Sequence, residues 1–184
     1  LFRSKTSNAW YNITNGVADI LLVYEAAEET KAEVEASGVE LEITPLGRDA
    51  LVFINNEKNP VNNLSQQQLV DIYTGRITNW KEVGGEEQDI IAYQRKETSG
   101  SQSLFLKLLM QGQQPMEAPQ ELKPTEMDML IDELARYNNE GNALGYSVFY
   151  YASYMYQQPG LKMLAVDGVM PSDTTIADGS YPLL

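Results

Sequence analysis

The chain has 184 residues, a hydrophobic fraction of 43% and a formal net charge of −13. It contains neither cysteine nor histidine, which excludes disulfides, Cys/His zinc sites and every histidine-based triad. The acidic balance argues against nucleic acid and anionic membranes as partners, because both require clustered Lys and Arg. No stretch approaches the ~18 apolar residues of a membrane span, so we expect no direct membrane insertion by this segment.

The first 45 residues are predicted to form a helix, a strand, a second helix and a second strand. Ser7 is the predicted N-cap of the first helix. The run "ADILLVY" (18–24) is continuously apolar, which is typical of a strand buried in a parallel sheet. A charged helix is predicted from about Glu28 to Ser37, and the strand "LEIT" follows it. Strands that alternate with helices indicate an α/β domain.

The middle of the chain carries the clearest local signals. "DALVFINN" (49–56) is predicted to be a buried strand. In "LSQQQLVDIYTG", Ser65 and Gln68 form a capping-box pattern, and Gly75 ends the predicted helix. "DIIAYQ" (89–94) is predicted to be a strand that leads into a polar turn.

The last third of the chain is predicted to hold a helix, a short apolar strand and a return segment. Thr125 is the predicted cap of the helix. Tyrosines are frequent after it, and they could form a stacking platform for sugars or bases, although packing in the core is favoured because aromatic side chains supply large buried areas. These tyrosines are Tyr146, Tyr150, Tyr151, Tyr154 and Tyr156.

This order of elements predicts two lobes that the chain crosses twice. Residues 1–50 form the first part of lobe I, residues 51–146 form lobe II, and residues 147–184 return to lobe I. The predicted crossings lie near residues 50–55 and 145–150.

The stretch "YQRKETSGSQSLFLKLL" places a Ser-Gly-Ser turn between a predicted strand and a predicted helix. Backbone N–H groups at a helix N-terminus, together with the helix dipole, favour a bound anion. Gly100 allows the backbone to approach a ligand closely, and the hydroxyls of Ser99 and Ser101 can donate hydrogen bonds. Arg95 adds a planar fork that matches two oxygens of an oxyanion. The stretch therefore predicts an oxyanion site.

A structural alternative remains open at this point. Thr98 or Ser99 could be an ordinary N-cap, and Arg95 could be a solvated surface residue. Ser and Thr are common before helices, and a short motif needs its structural context before it indicates a site.

Four blocks of the chain carry a family resemblance. They are "PLGRDALVFINNEKNPVNNLSQQQLVDIYTGRITNWKEVGG", "YQRKETSGSQ", "NALGYSVFYYA" and "GVMPSDTTIADGSYPL". Together they resemble the phosphate-binding receptors of bacterial ABC transporters, which belong to the periplasmic-binding-protein superfamily. The resemblance runs in order across nearly the whole chain, and the block "LSQQQLVDIYTGRITNW" is its most specific part.

The resemblance implies a type II periplasmic-binding-protein-like fold, in which two α/β lobes hold a ligand in the cleft between them. The family's second-lobe phosphate motif is matched by Arg95, Ser99, Gly100 and Ser101, with serine in place of threonine at the last position. Its first-lobe hydroxyl segment is matched by Thr6 and Ser7. The resemblance also implies that this chain is a fragment of a longer receptor, without the family's first strand–helix unit and its C-terminal elements.

One departure from the family concerns recognition of the ligand's proton. The family has an aspartate after the strand that corresponds to "DILLV", where this chain has Tyr24 and then Glu25. Glu25 could substitute for that aspartate with a shift of one residue. Tyr24 cannot be the same pure acceptor while it keeps its proton.

The leading hypothesis is an extracytoplasmic solute-binding protein, periplasmic or a cell-surface lipoprotein, that delivers phosphate or a similar oxyanion to an ABC transporter permease. It needs no cofactor, no metal and no bond breaking. A sensing or adhesion module with the same fold is the alternative. An enzyme with Ser99 as nucleophile ranks last, because the chain offers no histidine base and no recognisable metal site.

Overall fold

The structure is a computed structural model of the chain, and it describes residues 5–26, 28–97, 99–118, 122–136 and 141–184. These residues form a mixed α/β fold with a four-stranded sheet and a two-stranded sheet, which confirms the predicted fold class. Among the described helices, none has the length and apolar character needed to cross a membrane.

The helices and strands are numbered in chain order. The α-helices are α1 (Thr6–Thr14), α2 (Glu28–Ser37), α3 (Gln66–Tyr73), α4 (Gly100–Leu104), α5 (Met127–Arg136) and α6 (Asp173–Ala177). The strands are β1 (Leu51–Asn56), β2 (Asn63–Leu64), β3 (Ile91–Ala92), β4 (Ala143–Val148), β5 (Leu161–Met163) and β6 (Ala165–Val166). A 3-10 helix covers Trp80–Val83, and π-helical segments cover Phe105–Met110 and Tyr151–Met155.

The main sheet has the strand order β3, β4, β1, β5. β1 pairs with β4 in antiparallel register, with Leu51 opposite Val148, and it also pairs with β5. All six residues of β1 and all six of β4 are buried, because helices cover the faces of these central strands. The strand predicted over 49–56 is confirmed. The lobe crossings near residues 50–55 and 145–150 stay predictions.

An aromatic cluster joins the sheet to the helices. The rings of Phe105 and Tyr146 stack with centroids 4.6 Å apart, and Tyr73 meets Phe105 edge-on at 4.7 Å. Phe53 of β1 packs against Tyr146 at 6.1 Å. This packing fixes the helical segment after residue 99 beside β4, which positions the predicted oxyanion turn.

Several local predictions are confirmed. α2 has the predicted bounds. α3 begins with the predicted capping box, in which the Gln68 amide donates to the Ser65 hydroxyl and the Ser65 amide donates to the Gln68 side chain. α3 is followed by Gly75 in the left-handed region, at φ +77°. In addition to these predicted features, the Trp80 indole is fully buried and donates to the Asn142 carbonyl at 2.9 Å.

Two predicted caps are displaced. α1 begins at Thr6 with Lys5 as its N-cap, because the Lys5 carbonyl accepts the first helical bond from Ala9. Ser7 therefore lies inside the first turn, and its prediction as the N-cap is wrong. α5 begins at Met127, so the predicted cap Thr125 lies just before the helix.

The predicted strands "ADILLVY" and "LEIT" are wrong. Residues 18–24 and 41–44 have no strand pairing in the described chain. Ile20 is 87% exposed, Leu22 is 85% exposed and Ile43 is 72% exposed. No described strand lies beside these segments to bond their backbones, so their apolar side chains remain uncovered. The strand predicted over 89–94 is reduced to the two residues of β3.

Candidate functional site

Arg95 is the buried cation of the candidate site. It follows β3, and only 6% of its surface is exposed. Its Nε donates to the Pro124 carbonyl at 3.2 Å, and its Nη2 donates to the Thr125 carbonyl at 3.0 Å. Its Nη1 reaches the Ser101 hydroxyl at 3.4 Å, which is a long hydrogen bond. Within the described part of the chain, no carboxylate forms an ion pair with this guanidinium.

The electrostatics of Arg95 follow from this environment. Burial lowers the pKa of Arg95, and the nearby Tyr146, Glu126 and Asp128 oppose that shift. A guanidinium stays protonated in proteins, so the cleft contains a buried positive charge whose direct partners are neutral oxygens. A buried charge without a charged partner is costly. An anion that enters the site would offset that cost.

The Ser99 side chain does not cap α4. Ser99 has the extended backbone of an N-cap residue, but its side chain accepts no capping bond. Its hydroxyl lies instead 2.9 Å from the Ser101 hydroxyl, and both side chains are buried. The Ser99 side chain therefore does not make the hydrogen bond that an ordinary N-cap makes. Thr98, the other residue predicted as a possible N-cap, lies outside the described residues. The first N–H groups of a helix also have no intrahelical partner, and Ser99 and Ser101 stand at the start of α4.

Gly100 brings the first turns of two helices together. A Cβ atom at Gly100 would lie 2.5 Å from the Thr6 hydroxyl oxygen, which is well inside van der Waals contact. The glycine is required here by the close approach of α1. As a result, the Thr6 hydroxyl of α1 and the Ser-Gly-Ser turn of α4 face the same space.

These groups line a cleft of about 230 Å³. Six of the eight predicted site residues lie on it, namely Thr6, Tyr24, Arg95, Ser99, Gly100 and Ser101. Lys5 adds a second positive charge and Glu126 a negative charge. The arrangement offers converging hydroxyl, amide and guanidinium donors, which is the chemistry that a tetrahedral oxyanion requires. The role of each residue as a ligand remains a prediction.

A larger cavity of about 310 Å³ lies elsewhere and is lined by Arg48, Asp49, Phe149, Tyr150, Asp173 and Ile176, with Ala177. None of the predicted site residues lines it, and its arginine is exposed. We therefore take the smaller cleft, with its buried arginine, as the candidate site.

Ser7 and Glu25 are not on the cleft. The Glu25 carboxylate accepts from Lys107, in the segment after α4, and from Lys31 at 2.8 Å. The hydrogen bond from Lys107, followed by that from Lys31, lowers the pKa of Glu25. The carboxylate is thus already engaged on the surface, which does not support its predicted role as acceptor of a ligand proton.

Tyr24 lines the cleft but directs its hydroxyl elsewhere. The hydroxyl donates to Asp49 Oδ2 at 2.9 Å. The Tyr24 carbonyl accepts from the Trp10 indole at 3.2 Å, which holds this segment against α1. Burial, together with Asp49, raises the pKa of Tyr24, so its hydroxyl keeps its proton near neutral pH and donates a hydrogen bond to Asp49.

Two residues that position Arg95 were missed as site residues. The Arg95 amide donates to the Tyr146 hydroxyl at 2.9 Å and to the Gln102 side-chain oxygen at 3.0 Å, and Tyr146 also donates to Gln102. Burial raises the pKa of Tyr146, which keeps it protonated as a donor. The pattern "SGSQ" places Gln102 three residues after Ser99, as in a capping box, and could have drawn attention to it. The contact to Tyr146 is long-range and left no local signal.

Comparison with known proteins finds a family model and relatives that each match most of this chain. The PBP superfamily domain matches residues 3–184. Phosphate-binding protein PstS of Bacillus subtilis is 30% identical over 156 residues, which cover 84% of this chain and 48% of that protein. The chain spans about half the length of the curated relatives it matches.

Two solved structures are also similar. An ABC-type phosphate transport receptor from Vibrio cholerae matches with a TM-score of 0.71 and 26% identity, covering 97% of this chain and 68% of that chain. A substrate-binding protein from Clostridium perfringens, crystallised with bound phosphate, matches with a TM-score of 0.68 and 28% identity, covering 96% of this chain and 67% of that chain.

Proposed function

Because this chain belongs to the PBP superfamily domain family, we propose that its cleft binds inorganic phosphate or a similar tetrahedral oxyanion. The observation that carries the proposal is the buried Arg95 guanidinium, which has no ion-pair partner among the described residues and lies beside the Ser99 and Ser101 hydroxyls. The names of the matched relatives support phosphate as the ligand.

Binding follows from donors that are already in place. Tyr146 and Gln102 hold the Arg95 backbone, and the carbonyls of Pro124 and Thr125 hold two edges of its guanidinium. Among the described residues, the Nη1 edge has only the long contact to Ser101, and it is left to meet a ligand oxygen. A preorganised donor set loses little conformational entropy on binding.

The larger role is solute delivery by an extracytoplasmic protein to an ABC transporter permease. In this proposal residues 1–50 and 147–184 belong to lobe I and residues 51–146 to lobe II. Thr6 comes from the first lobe and Arg95 from the second, so a ligand that contacts both would stabilise the closed arrangement. Oxyanion capture and release need no chemical step, and the relatives named above are phosphate-binding and transport proteins.

Replacement of Arg95 by lysine tests the proposal, with Arg76→Lys as the matched control. Both changes keep the net charge, but only Arg95→Lys removes the planar fork from the cleft, because Arg76 is exposed and paired with Asp71. We expect phosphate affinity, measured by calorimetric titration of the ligand-free natural protein that carries this sequence, to fall about 100-fold or more in Arg95→Lys. Arg76→Lys should leave it unchanged.

Equal phosphate affinity in the two variants would refute the proposed site. Circular dichroism and urea unfolding of Arg95→Lys would show that the variant remains folded, so that lost binding is not lost structure.

A further inference from the structure

The larger cavity, of about 310 Å³, carries unpaired charges of both signs. Arg48 lines it, and its guanidinium forms no ion pair with any carboxylate of the described residues. Asp173 also lines it, and its Oδ2 accepts a hydrogen bond from the Tyr154 hydroxyl. No described residue donates to Asp173 Oδ1. The cavity therefore offers a guanidinium and a carboxylate oxygen that do not neutralise each other.

The fold keeps these two charges apart. Arg48 Nη1 lies beside the turn that follows α6, since a Cβ atom at Gly179 would be 3.6 Å from it. Asp173 is the first residue of α6, at the other end of the helix. The end residues of α6 lie about 6 Å apart at a rise of about 1.5 Å per residue. A ligand that contacts both charges must therefore reach along the length of this helix.

The second carboxylate of the cavity is already engaged. Asp49 Oδ1 accepts from the Ala50 amide at 2.8 Å and from the Tyr150 amide at 3.1 Å. Its Oδ2 accepts from the Tyr24 hydroxyl at 2.9 Å. These bonds hold the segment before β1 against the segment after β4. Asp49 therefore fixes the shape of the cavity and does not neutralise Arg48.

The rest of the lining is apolar and aromatic. Phe149 and Ile176 are buried, while Tyr150 is 58% exposed. The ring of Tyr150 packs against that of Tyr154 with centroids 5.3 Å apart, and Tyr154 is the residue that holds Asp173. An aromatic face near a carboxylate favours an ammonium group, and a guanidinium favours a carboxylate.

A ligand with a single charge does not match this lining. An anion would be attracted by Arg48 but repelled by Asp49 and Asp173, and a cation would meet the opposite forces. A zwitterion with an apolar group satisfies the guanidinium, the free carboxylate oxygen and the apolar wall together. The volume of about 310 Å³ lies at the lower end of the range of ~300–1,000 Å³ for small-molecule sites, which suits a small ligand.

We propose that this cavity is a second ligand site, which binds a free α-amino acid with an apolar side chain. Its carboxylate would contact Arg48 and its ammonium group Asp173. The two groups lie about 3 Å apart in an amino acid, so with a hydrogen bond of about 2.9 Å at each end the ligand reaches both ends of α6. The site is independent of the oxyanion cleft, because the two have no lining residue in common.

The test is a calorimetric titration of the natural protein that carries this sequence with three related compounds at neutral pH. L-leucine has both charges, 3-methylbutylamine lacks its carboxylate, and 4-methylpentanoate lacks its ammonium group. All three have the same branched apolar group. We expect L-leucine to bind at least about tenfold more tightly than either analogue, because each analogue loses the charge-assisted hydrogen bonds at one end.

Two variants assign the charges, with Arg76→Gln as the matched control. Arg76 is exposed, lies outside the cavity and pairs with Asp71. In Arg48→Gln, L-leucine should bind at least about tenfold more weakly and no better than 3-methylbutylamine. In Asp173→Asn, it should likewise weaken at least about tenfold and bind no better than 4-methylpentanoate. Arg76→Gln should leave L-leucine binding unchanged, and phosphate affinity should be the same in all three variants.

Three results would overturn the proposed site. They are no binding of L-leucine by the parent up to about 10 mM, equal binding of L-leucine and either analogue, and unchanged L-leucine affinity in Arg48→Gln or Asp173→Asn. Circular dichroism of each variant would show that it remains folded, so that lost binding is not lost structure. A parent that binds L-leucine but not phosphate would refute the oxyanion function and support the second site.

Discussion

Residues 51–184 and residues 5–50 differ in what covers their apolar side chains. Leu51 and Phe53 of β1 are fully buried between strands and helices, whereas Ile20 and Leu22 are 87% and 85% exposed. The two stretches, "LVFI" and "ILLV", are equally apolar. The difference lies in their neighbours, because β1 has a bonded strand on each side and residues 18–24 have none among the described residues. Apolar composition therefore produces a buried strand only where other strands pair with it.

Replacement of a leucine by alanine in each region should give the largest difference in the free energy of unfolding. Leu51→Ala removes a side chain that is 0% exposed and leaves a cavity in the central strand, which should lower the free energy of unfolding by about 2–5 kcal/mol. Leu22→Ala removes a side chain that is 85% exposed and should change it by less than about 0.5 kcal/mol. Urea unfolding of the 184-residue chain measures both. A comparable loss in the two variants would show that Leu22 is buried in solution.

The sequence predicted the elements whose signals are local. α2, α3 and β1 form where propensity, the Ser65 capping box and a strong apolar run specify them. The strand predicted over 18–24 failed because strand formation depends on partners distant in the chain, which periodicity cannot report. A one-dimensional pattern shows which residues can be buried, and the tertiary neighbours decide whether they are.

The residues of the candidate site also fall into two groups, those that a local sequence pattern indicates and those that only the fold brings together. Arg95 and the Ser-Gly-Ser turn could be predicted, because they lie within seven consecutive residues that have recognisable anion chemistry. Tyr146 is 51 residues away from Arg95, and only the fold brings its hydroxyl to the Arg95 amide. Glu126 likewise lies far from Arg95 in the sequence, and only the fold places both on the same cleft.

The contact between the two regions at Gly100 gives the next largest effect. A methyl group at Gly100 would lie 2.5 Å from the Thr6 hydroxyl oxygen and would push α1 away from α4. We expect Gly100→Ala to lower the free energy of unfolding by about 1–3 kcal/mol, whereas Gly47→Ala, with nothing within 4 Å, should not lower it.

A double variant separates this clash from an effect on helix propensity. Thr6→Ala removes the oxygen that the new methyl group meets, so Thr6→Ala combined with Gly100→Ala should recover part of the loss. Strict additivity of the two single changes in urea unfolding would count against direct contact between α1 and α4.

Removal of the buried Tyr146 hydroxyl, which holds the Arg95 backbone, should lower the free energy of unfolding by a smaller amount. Tyr146→Phe keeps the aromatic packing but removes the acceptor of the Arg95 amide and the donor to Gln102. Because the Arg95 amide retains its bond to Gln102, we expect a loss of about 1–2 kcal/mol in urea unfolding.

Tyr154→Phe is the matched control, since the Tyr154 hydroxyl is exposed and bonds Asp173 on the surface. Its loss should stay below about 0.5 kcal/mol. Equal losses in Tyr146→Phe and Tyr154→Phe would mean that the buried hydroxyl does not hold the Arg95 turn.

The ion pair between Glu25 and Lys107, a surface contact between the two regions, should contribute least to the free energy of unfolding. Lys107, followed by Lys31, lowers the pKa of Glu25 from its ordinary value of 4.5. A carboxylate whose pKa is lowered by folding stabilises the protein above that ordinary value, and the stabilisation is lost as the pH falls through the folded-state pKa. Because the pair is exposed, we expect Glu25→Gln to cost at most about 1 kcal/mol near pH 7. The cost should shrink in high salt and approach zero as the pH falls through the folded-state pKa of Glu25.

Glu42→Gln, at an exposed carboxylate with no ion pair among the described residues, gives the baseline for the same urea titrations. If Glu25→Gln has the larger cost near pH 7 and the two variants converge at low pH or high salt, residues 5–50 are joined to the rest of the fold here by screened charge. A cost for Glu25→Gln that persists in high salt and does not decrease as the pH is lowered would instead indicate apolar packing beneath the ion pair. Residues 5–50 would then resemble β1 more closely, because part of their contact with the rest of the fold would be apolar and buried.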